Sequence, residues 1–169
     1  MYKVKKIILL AFTLVLALSA TTFALPKEDL AKGFAGVSWG GSSSQLKNKV
    51  AFSDSSFKNL PPELKIYKTN NSVVIGGTKI DEVLFFFYSD QFTQAVLKHS
   101  DFSQLTEAMT KEYSAPHLTQ AGTLTWVIPI DLDNEELVNV GILEAQGGGV
   151  IVNTKYLVKM LEGLQSTPK

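Results

Sequence analysis

The chain contains an unbroken run of six apolar or aromatic residues at positions 83–88. A run of this length and composition is typical of a central β-strand that is buried on both faces. Residues 89–91 (Ser-Asp-Gln) have the composition of a tight turn, and residues 92–98 follow as a returning strand. The sequence therefore predicts an antiparallel hairpin in the interior of a sheet.

Periodicity predicts the other elements of the fold. Alternating or continuous apolar residues indicate extended segments or strands at 33–40, 64–69, 73–75, 123–130, 137–145 and 150–153. Apolar residues on one helical face, together with capping signals, indicate helices at 42–50, 101–113 and 154–164. Because the connections are short, hairpins are favoured over crossovers. We therefore expect an α+β fold, mainly an antiparallel sheet with two or three helices packed on one face.

The N-terminus has the layout of a secretory signal peptide. Three lysines within the first six residues form a positive segment, residues 7–18 are almost wholly apolar, and small residues precede a cleavage point after Ala24. We therefore expect residues 1–24 to be a signal peptide and the protein to be exported, either periplasmic or secreted. The alternative is an uncleaved membrane anchor, since the apolar part of this segment is about long enough to cross a bilayer.

Cleavage after Ala24 leaves residues 25–164 as a single α+β domain, followed by a tail at 165–169 that is expected to fray. No second long apolar run follows, so we expect no membrane span after cleavage. The chain has no Cys, which excludes a lipid anchor on Cys, disulfides and thiol chemistry. Every basic residue is Lys, and acidic residues outnumber lysines once the N-terminal segment is removed, which argues against nucleic acid as a partner.

A sequence pattern near the start of the expected domain resembles a known group of proteins. Residues 33–40 contain Phe-x-Gly-Val-x-Trp-Gly, and a strand rich in Phe and Tyr at 86–88 and a helix ending at Tyr113 follow. This order resembles a family of uncharacterised bacterial exported proteins with the pattern Phe-x-Gly-[Ile/Val]-x-Trp-Gly. That family ends the second helix in Tyr-Gly-x-Pro, whereas this chain has Ser114 in place of Gly. The resemblance covers residues 34–116 and implies an exported module with no known activity.

The chain matches no catalytic or metal-binding motif. His99, Ser100 and Asp101 are the residue types of a catalytic triad, but adjacent side chains point apart, and a Gly-x-Ser-x-Gly elbow is absent. His99 and His117 have no helical or strand spacing that would pair them as metal ligands. We therefore predict no catalytic residue, no metal site and no cofactor.

Two short segments carry weaker ligand signals. Residues 131–136 begin like a calcium loop, but they lack the Gly and Glu that an EF-hand requires at its sixth and twelfth positions. Residues 40–42 (Gly-Gly-Ser) precede a predicted helix, whose N-terminal N–H groups can bind an anion. A solvated acidic turn and a flexible strand-to-helix connection explain both segments without a ligand.

Aromatic residues are concentrated on the predicted strands. If helices cover only one face of the sheet, the other face would expose an aromatic patch that binds an envelope protein or a small apolar ligand. The residues predicted to form this binding face are Tyr67, Phe86, Tyr88, Phe92 and Trp126. The simpler interpretation is that these aromatics only build the core.

These observations predict an exported, non-enzymatic binding module. Two alternatives stay open on the sequence alone. The first is an envelope hydrolase that uses paired carboxylates such as Asp131, Asp133 or Glu144. The second is a purely structural subunit of an envelope complex.

Overall fold

The computed structural model describes residues 28–52, 60–120, 122–131, 134, 136–143 and 148–166. The predicted signal peptide, residues 1–24, lies outside the described residues, and so does the end of the predicted tail, residues 167–169. Within the described ranges, no helix combines the length and the apolar composition that crossing a membrane requires.

Three α-helices and twelve strands make up the described part of the chain. The helices are α1 (Glu28–Lys32), α2 (Phe102–Tyr113) and α3 (Thr154–Ser166). The first six strands are β1 (Gly33–Phe34), β2 (Val37–Ser38), β3 (Lys49–Ala51), β4 (Leu64–Thr69), β5 (Val74–Ile75) and β6 (Thr78–Lys79). The other six are β7 (Glu82–Tyr88), β8 (Gln91–Lys98), β9 (Leu118–Gln120), β10 (Thr123–Asp131), β11 (Glu136–Leu143) and β12 (Gly148–Asn153).

Eight of these strands form one antiparallel sheet in the order β3-β4-β7-β8-β12-β11-β10-β9. The hairpin predicted from the apolar run is β7–β8, and it lies inside this sheet between β4 and β12. Its turn residues Ser89 and Asp90 have φ values of 47° and 60°, as a two-residue type I′ turn requires. The predicted α+β class with a mainly antiparallel sheet is confirmed.

Both faces of the sheet are covered. Neighbouring side chains along each strand point to opposite faces, and the residues on each face belong to their own apolar cluster. On the first face, α1 and α2 contribute Leu30 and Leu105 to the cluster. One row of this face crosses six strands through Tyr67, Phe85, Ala95, Ile151, Val140 and Trp126. On the second face, α3 packs against β8, β11 and β12 with Leu157 and Met160 buried. Helices α1 and α2 thus lie on the first face, and α3 covers the second face, which was expected to be open.

The predicted helix at 42–50 is wrong. Ser42 does cap a turn by accepting a hydrogen bond from the N–H of Ser44, but the turn is a three-residue 3-10 helix, Ser43–Gln45. Residues 49–51 instead form strand β3, because their backbone pairs with β4. The pairing of β3 with a strand that comes later in the chain overrides the local helix signal.

Smaller differences concern boundaries. Residues 33–40 form a two-strand hairpin, β1–β2, rather than one extended segment. Strand β9 at the sheet edge was not predicted, because it is short and lacks apolar alternation. Helix α3 runs to Ser166, two residues beyond its predicted end.

Candidate functional site

An open cleft of about 940 Å³ lies beside the first hairpin. Its walls come from α1, the β1–β2 hairpin, the C-terminal end of β4, the β5–β6 hairpin and the last turn of α2. The volume falls within the range of small-molecule and cofactor sites in proteins, about 300–1,000 Å³. The apolar residues of the lining include Leu30, Phe34, Val37, Leu46, Val73, Val74, Ile75 and Tyr113.

The β1–β2 hairpin forms part of the wall of this cleft. Its two turn residues, Ala35 and Gly36, have φ values of 50° and 83°, the left-handed conformation that a type I′ turn requires. The flanking Phe34 and Val37 lie in the first apolar cluster, with 7% and 1% of their surface exposed. The hairpin is therefore anchored by its core side chains while its turn stays in solvent.

The β5–β6 hairpin also lines the cleft, and it too has a two-residue turn with positive φ, at Gly76 (56°) and Gly77 (89°). A Cβ added to Gly76 would lie 2.2 Å from the carbonyl oxygen of Ala108, so the turn packs directly on the backbone of α2. Val74 of this hairpin lines the cleft and is 59% exposed, the largest exposed fraction among the exposed large hydrophobic residues of the described chain.

Hydrogen bonds between loops fix the rim of the cleft. Asn48 Nδ2 donates to Asn71 Oδ1 (2.8 Å), and Thr69 Oγ1 donates to the Lys47 carbonyl oxygen (2.8 Å). On the other side, the N–H of Ser38 donates to Gln45 Oε1 (2.9 Å). These contacts join β2 to the 3-10 turn, and the loop before β3 to the end of β4.

The charged residues of the lining are Lys32, Lys47 and Glu112. His99, His117 and Asp131 do not line the cleft. In the part of the chain that the structure describes, no group of three or more His, Cys, Asp or Glu side chains has the geometry to hold a metal ion. The lining thus combines apolar side chains with polar and charged ones.

The sequence pattern Phe-x-Gly-Val-x-Trp-Gly has a structural role. Trp39 stacks on Phe92 with ring centroids 4.7 Å apart and an interplanar angle of 2°. The Trp39 indole N–H also donates to the carbonyl oxygen of Leu30 in α1 (2.9 Å). This residue therefore ties α1 and the segment after β2 to the start of β8.

The last glycine of the pattern, Gly40, is required by its surroundings. It has φ of 70°, and a Cβ at this position would lie 2.2 Å from the ring of Tyr156. Its N–H donates to the Phe92 carbonyl oxygen (3.0 Å), and the Phe92 N–H donates to the Gly41 carbonyl oxygen (2.9 Å). A close backbone approach explains the glycine.

The anion site considered at residues 40–42 is filled by a carboxylate of the chain itself. Ser42 Oγ donates to Asp90 Oδ2 (2.6 Å), and the N–H of Ser43 donates to Asp90 Oδ1 (3.1 Å). These hydrogen bonds, first from Ser42 and then from Ser43, lower the pKa of Asp90 below its ordinary value. The backbone N–H of Ser43 thus binds the Asp90 carboxylate in the turn of the β7–β8 hairpin instead of an external anion.

The five aromatic residues predicted as a binding face do not lie on one surface. Phe92 and Trp126 are fully buried in the first cluster, and Phe86 is 3% exposed in the second, so none of the three forms an accessible patch. Tyr67 and Tyr88 are half-buried on opposite faces. The predicted single patch does not form, because strand alternation divides the aromatics between the two faces of the sheet and helices cover both faces.

The two tyrosines are also held by neighbours. The Tyr67 ring packs edge-on against Phe87, with centroids 5.7 Å apart, and Lys49 Nζ lies 5.1 Å from its centroid. The Tyr88 hydroxyl lies against Gly163 of α3, where a Cβ would clash with it. Both side chains therefore serve packing in this structure.

The residues of the rejected triad do not converge. His99 is 8% exposed, and its Nδ1 lies 3.4 Å from Asp81 Oδ2. The same Asp81 oxygen accepts a hydrogen bond from the backbone N–H of Ser100 (2.7 Å), while Asp101 caps α2 by accepting from the N–H of Gln104 (3.0 Å). The carboxylates at this junction therefore hold backbone groups rather than a nucleophile.

Of the carboxylates considered for a hydrolase, Asp131 is described, and Asp133 and Glu144 lie outside the described residues. Asp131 Oδ1 accepts a hydrogen bond from the N–H of Asn134 (3.2 Å), and Oδ2 accepts from its side-chain amide (2.7 Å). This arrangement is that of a turn held by an Asp side chain.

Comparison with protein-family models, with curated proteins and with solved structures gave no match for this chain. The resemblance to exported bacterial proteins therefore stays a prediction from the sequence pattern.

Proposed function

We propose that this protein is an exported, non-enzymatic module that binds a protein partner or a small apolar ligand in the cleft beside its first hairpin. The observation that carries the proposal is the cleft itself, whose lining includes two tight hairpins and combines apolar with polar side chains. Val74 on its wall could supply an apolar contact to a ligand, since 59% of its surface is exposed beside the cleft.

The test compares two exposed valines at matched sites. Val74→Asp places a charge in the cleft, and Val158→Asp places the same charge on α3, which covers the other face. Covering the exposed part of Val74 is worth about 1–2 kcal/mol. Val74→Asp is therefore expected to weaken binding about fivefold to thirtyfold, and Val158→Asp to leave it unchanged.

Binding is measured in two ways on the chain from Leu25. A fluorescent anilinonaphthalene sulfonate dye and a fatty acid are titrated to detect an apolar ligand. A photo-crosslinking residue at position 74 or 158, expressed in the native envelope, detects a protein partner. A crosslinked partner or a saturable ligand signal that depends on position 74, and not on position 158, supports the proposal. Equal behaviour of the two positions in both measurements contradicts it.

A further inference from the structure

The outer edge of β10 extends beyond the strand that covers it. Strand β9 pairs with β10 from Thr123 to Thr125, and in the described chain this pairing ends at the Leu118–Thr125 pair. The rest of β10, to Asp131, pairs with β11 on its inner side. An uncovered edge of this kind presents backbone groups that can pair with another strand.

His117, the residue before β9, closes the next positions of this edge. Its N–H donates to the carbonyl oxygen of Thr125 (2.8 Å), and its ring Nδ1 accepts a hydrogen bond from the N–H of Val127 (2.9 Å). The next residue of the same alternation is Pro129, which has no N–H to donate. The outward N–H of β10 between the β9 pairing and this proline is that of Val127, and the imidazole of His117 accepts its hydrogen bond.

We propose that His117 is an acid-sensitive latch on the outer edge of β10: its neutral ring holds the Val127 N–H, and protonation of Nδ1 releases it. Both nitrogens of a charged imidazole are donors, so a protonated Nδ1 cannot accept a hydrogen bond from the backbone. Release leaves the Val127 N–H unpaired at the edge of the sheet, which is the feature that addition of a further strand requires.

The surroundings of His117 keep the latch closed near neutral pH. Burial lowers the pKa of His117 below its ordinary value of 6.5. The flanking elements carry titratable groups in Glu112 and Tyr113 of α2 and in Asp131 of β10. Because the folded protein favours the neutral form, the contribution of His117 to the free energy of unfolding is fully present above about pH 6.5. It is lost as the pH falls through the folded pKa.

Two substitutions separate the latch from a merely structural role. His117→Asn keeps an acceptor oxygen near the position of Nδ1 but cannot titrate, and His117→Ala removes the acceptor. The measurement is the hydrogen-exchange protection factor of the Val127 amide in labelled chain, followed by NMR from about pH 8 to about pH 5. The amide of Val140, on the central strand β11, serves as the internal reference.

In the wild type, protection of Val127 relative to Val140 is expected to fall about threefold to tenfold across this range, the effect of losing one hydrogen bond. The midpoint should coincide with the titration of the His117 ring. His117→Asn should stay protected throughout, and His117→Ala, if it folds, should be unprotected throughout. An unchanged wild-type ratio, or a fall in His117→Asn equal to that of the wild type, would overturn the proposal. The wild type and His117→Asn suffice for this decision if His117→Ala does not fold.

Discussion

The carboxylate of Asp90 joins two turns that are distant in the chain, and its removal tests whether this contact stabilises the fold. It accepts hydrogen bonds from Ser42 Oγ (2.6 Å) and from the N–H of Ser43 (3.1 Å). Asp90→Asn keeps the side-chain size and suits the positive φ of this turn position (60°). It removes the charge and turns one acceptor oxygen into a donor amide. The substitution therefore changes the contact without changing the turn.

The size of the effect follows from the two hydrogen bonds. A hydrogen bond to a charged group contributes about 1.5–3 kcal/mol, and exposure to solvent favours the lower end of this range. Asn keeps one acceptor for the N–H of Ser43 and loses the acceptor for Ser42. We expect Asp90→Asn to lower the free energy of unfolding by about 1–2 kcal/mol. For a domain of this size the corresponding fall in Tm is about 3–6 °C.

The assay is urea denaturation followed by tryptophan fluorescence and circular dichroism, with the free energy of unfolding extrapolated to water. Glu107→Gln is the matched control, because it removes the same charge from an exposed position on α2. The control is expected to stay within about 0.5 kcal/mol of the wild type. A double-mutant cycle with Ser42→Ala then measures the coupling of the pair. An Asp90→Asn effect no larger than that of Glu107→Gln, or no coupling to Ser42, would show that this contact does not stabilise the fold.

The pH dependence gives an independent check of the same contact. Because the folded pKa of Asp90 lies below the ordinary value of 3.8, its contribution is present above about pH 3.8. The contribution is lost as the pH falls through the folded pKa. The stabilities of the wild type and Asp90→Asn should therefore converge in acid, and a difference that stays constant down to the lowest pH contradicts the assignment.

The remaining predictions concern two turns with positive φ. Gly40→Ala should lower the free energy of unfolding by about 3 kcal/mol or more, because the left-handed conformation costs about 1–2 kcal/mol and the new Cβ meets the Tyr156 ring. Gly36→Ala is its control, since a Cβ there meets nothing within 4 Å, and urea denaturation of the two variants should differ by the steric contribution. Ala35→Asn should stabilise the β1–β2 turn by about 0.5–1 kcal/mol, because Asn-Gly is preferred in type I′ turns. A lower Tm for Ala35→Asn would contradict this assignment.

Elements whose signals are local were predictable from the sequence. Helix α2 has its N-cap at Asp101, as the spacing to Gln104 indicates, and the apolar run at 83–88 is strand β7. Strands β10 and β11 and helix α3 likewise lie where their periodicity places them, within a few residues. In these segments, capping, turn chemistry and periodicity agree with each other.

The predictions that failed depended on contacts between distant segments. The capping spacing at 42–50 is real, since Ser42 caps a turn, but pairing with β4 makes residues 49–51 a strand. The five aromatics do not form one exposed face, because they are divided between the two faces of the sheet and helices cover both, which no periodicity in the strands could show. The cleft is built from four separate stretches of the chain, residues 30–38, 45–47, 69–77 and 112–113, so its existence depends on how the two small hairpins are placed.

The fold class follows from the sequence, because alternating and continuous apolar runs separated by short turns favour burial in an antiparallel sheet with helices against it. The sequence also determined that no cysteine chemistry exists here, as the chain has no Cys. Which side chains are buried and which remain exposed depends on the tertiary packing. Residue types give the total apolar surface, but the packing of α3 on one face and of α1 and α2 on the other decides which aromatics are buried and which groove stays open.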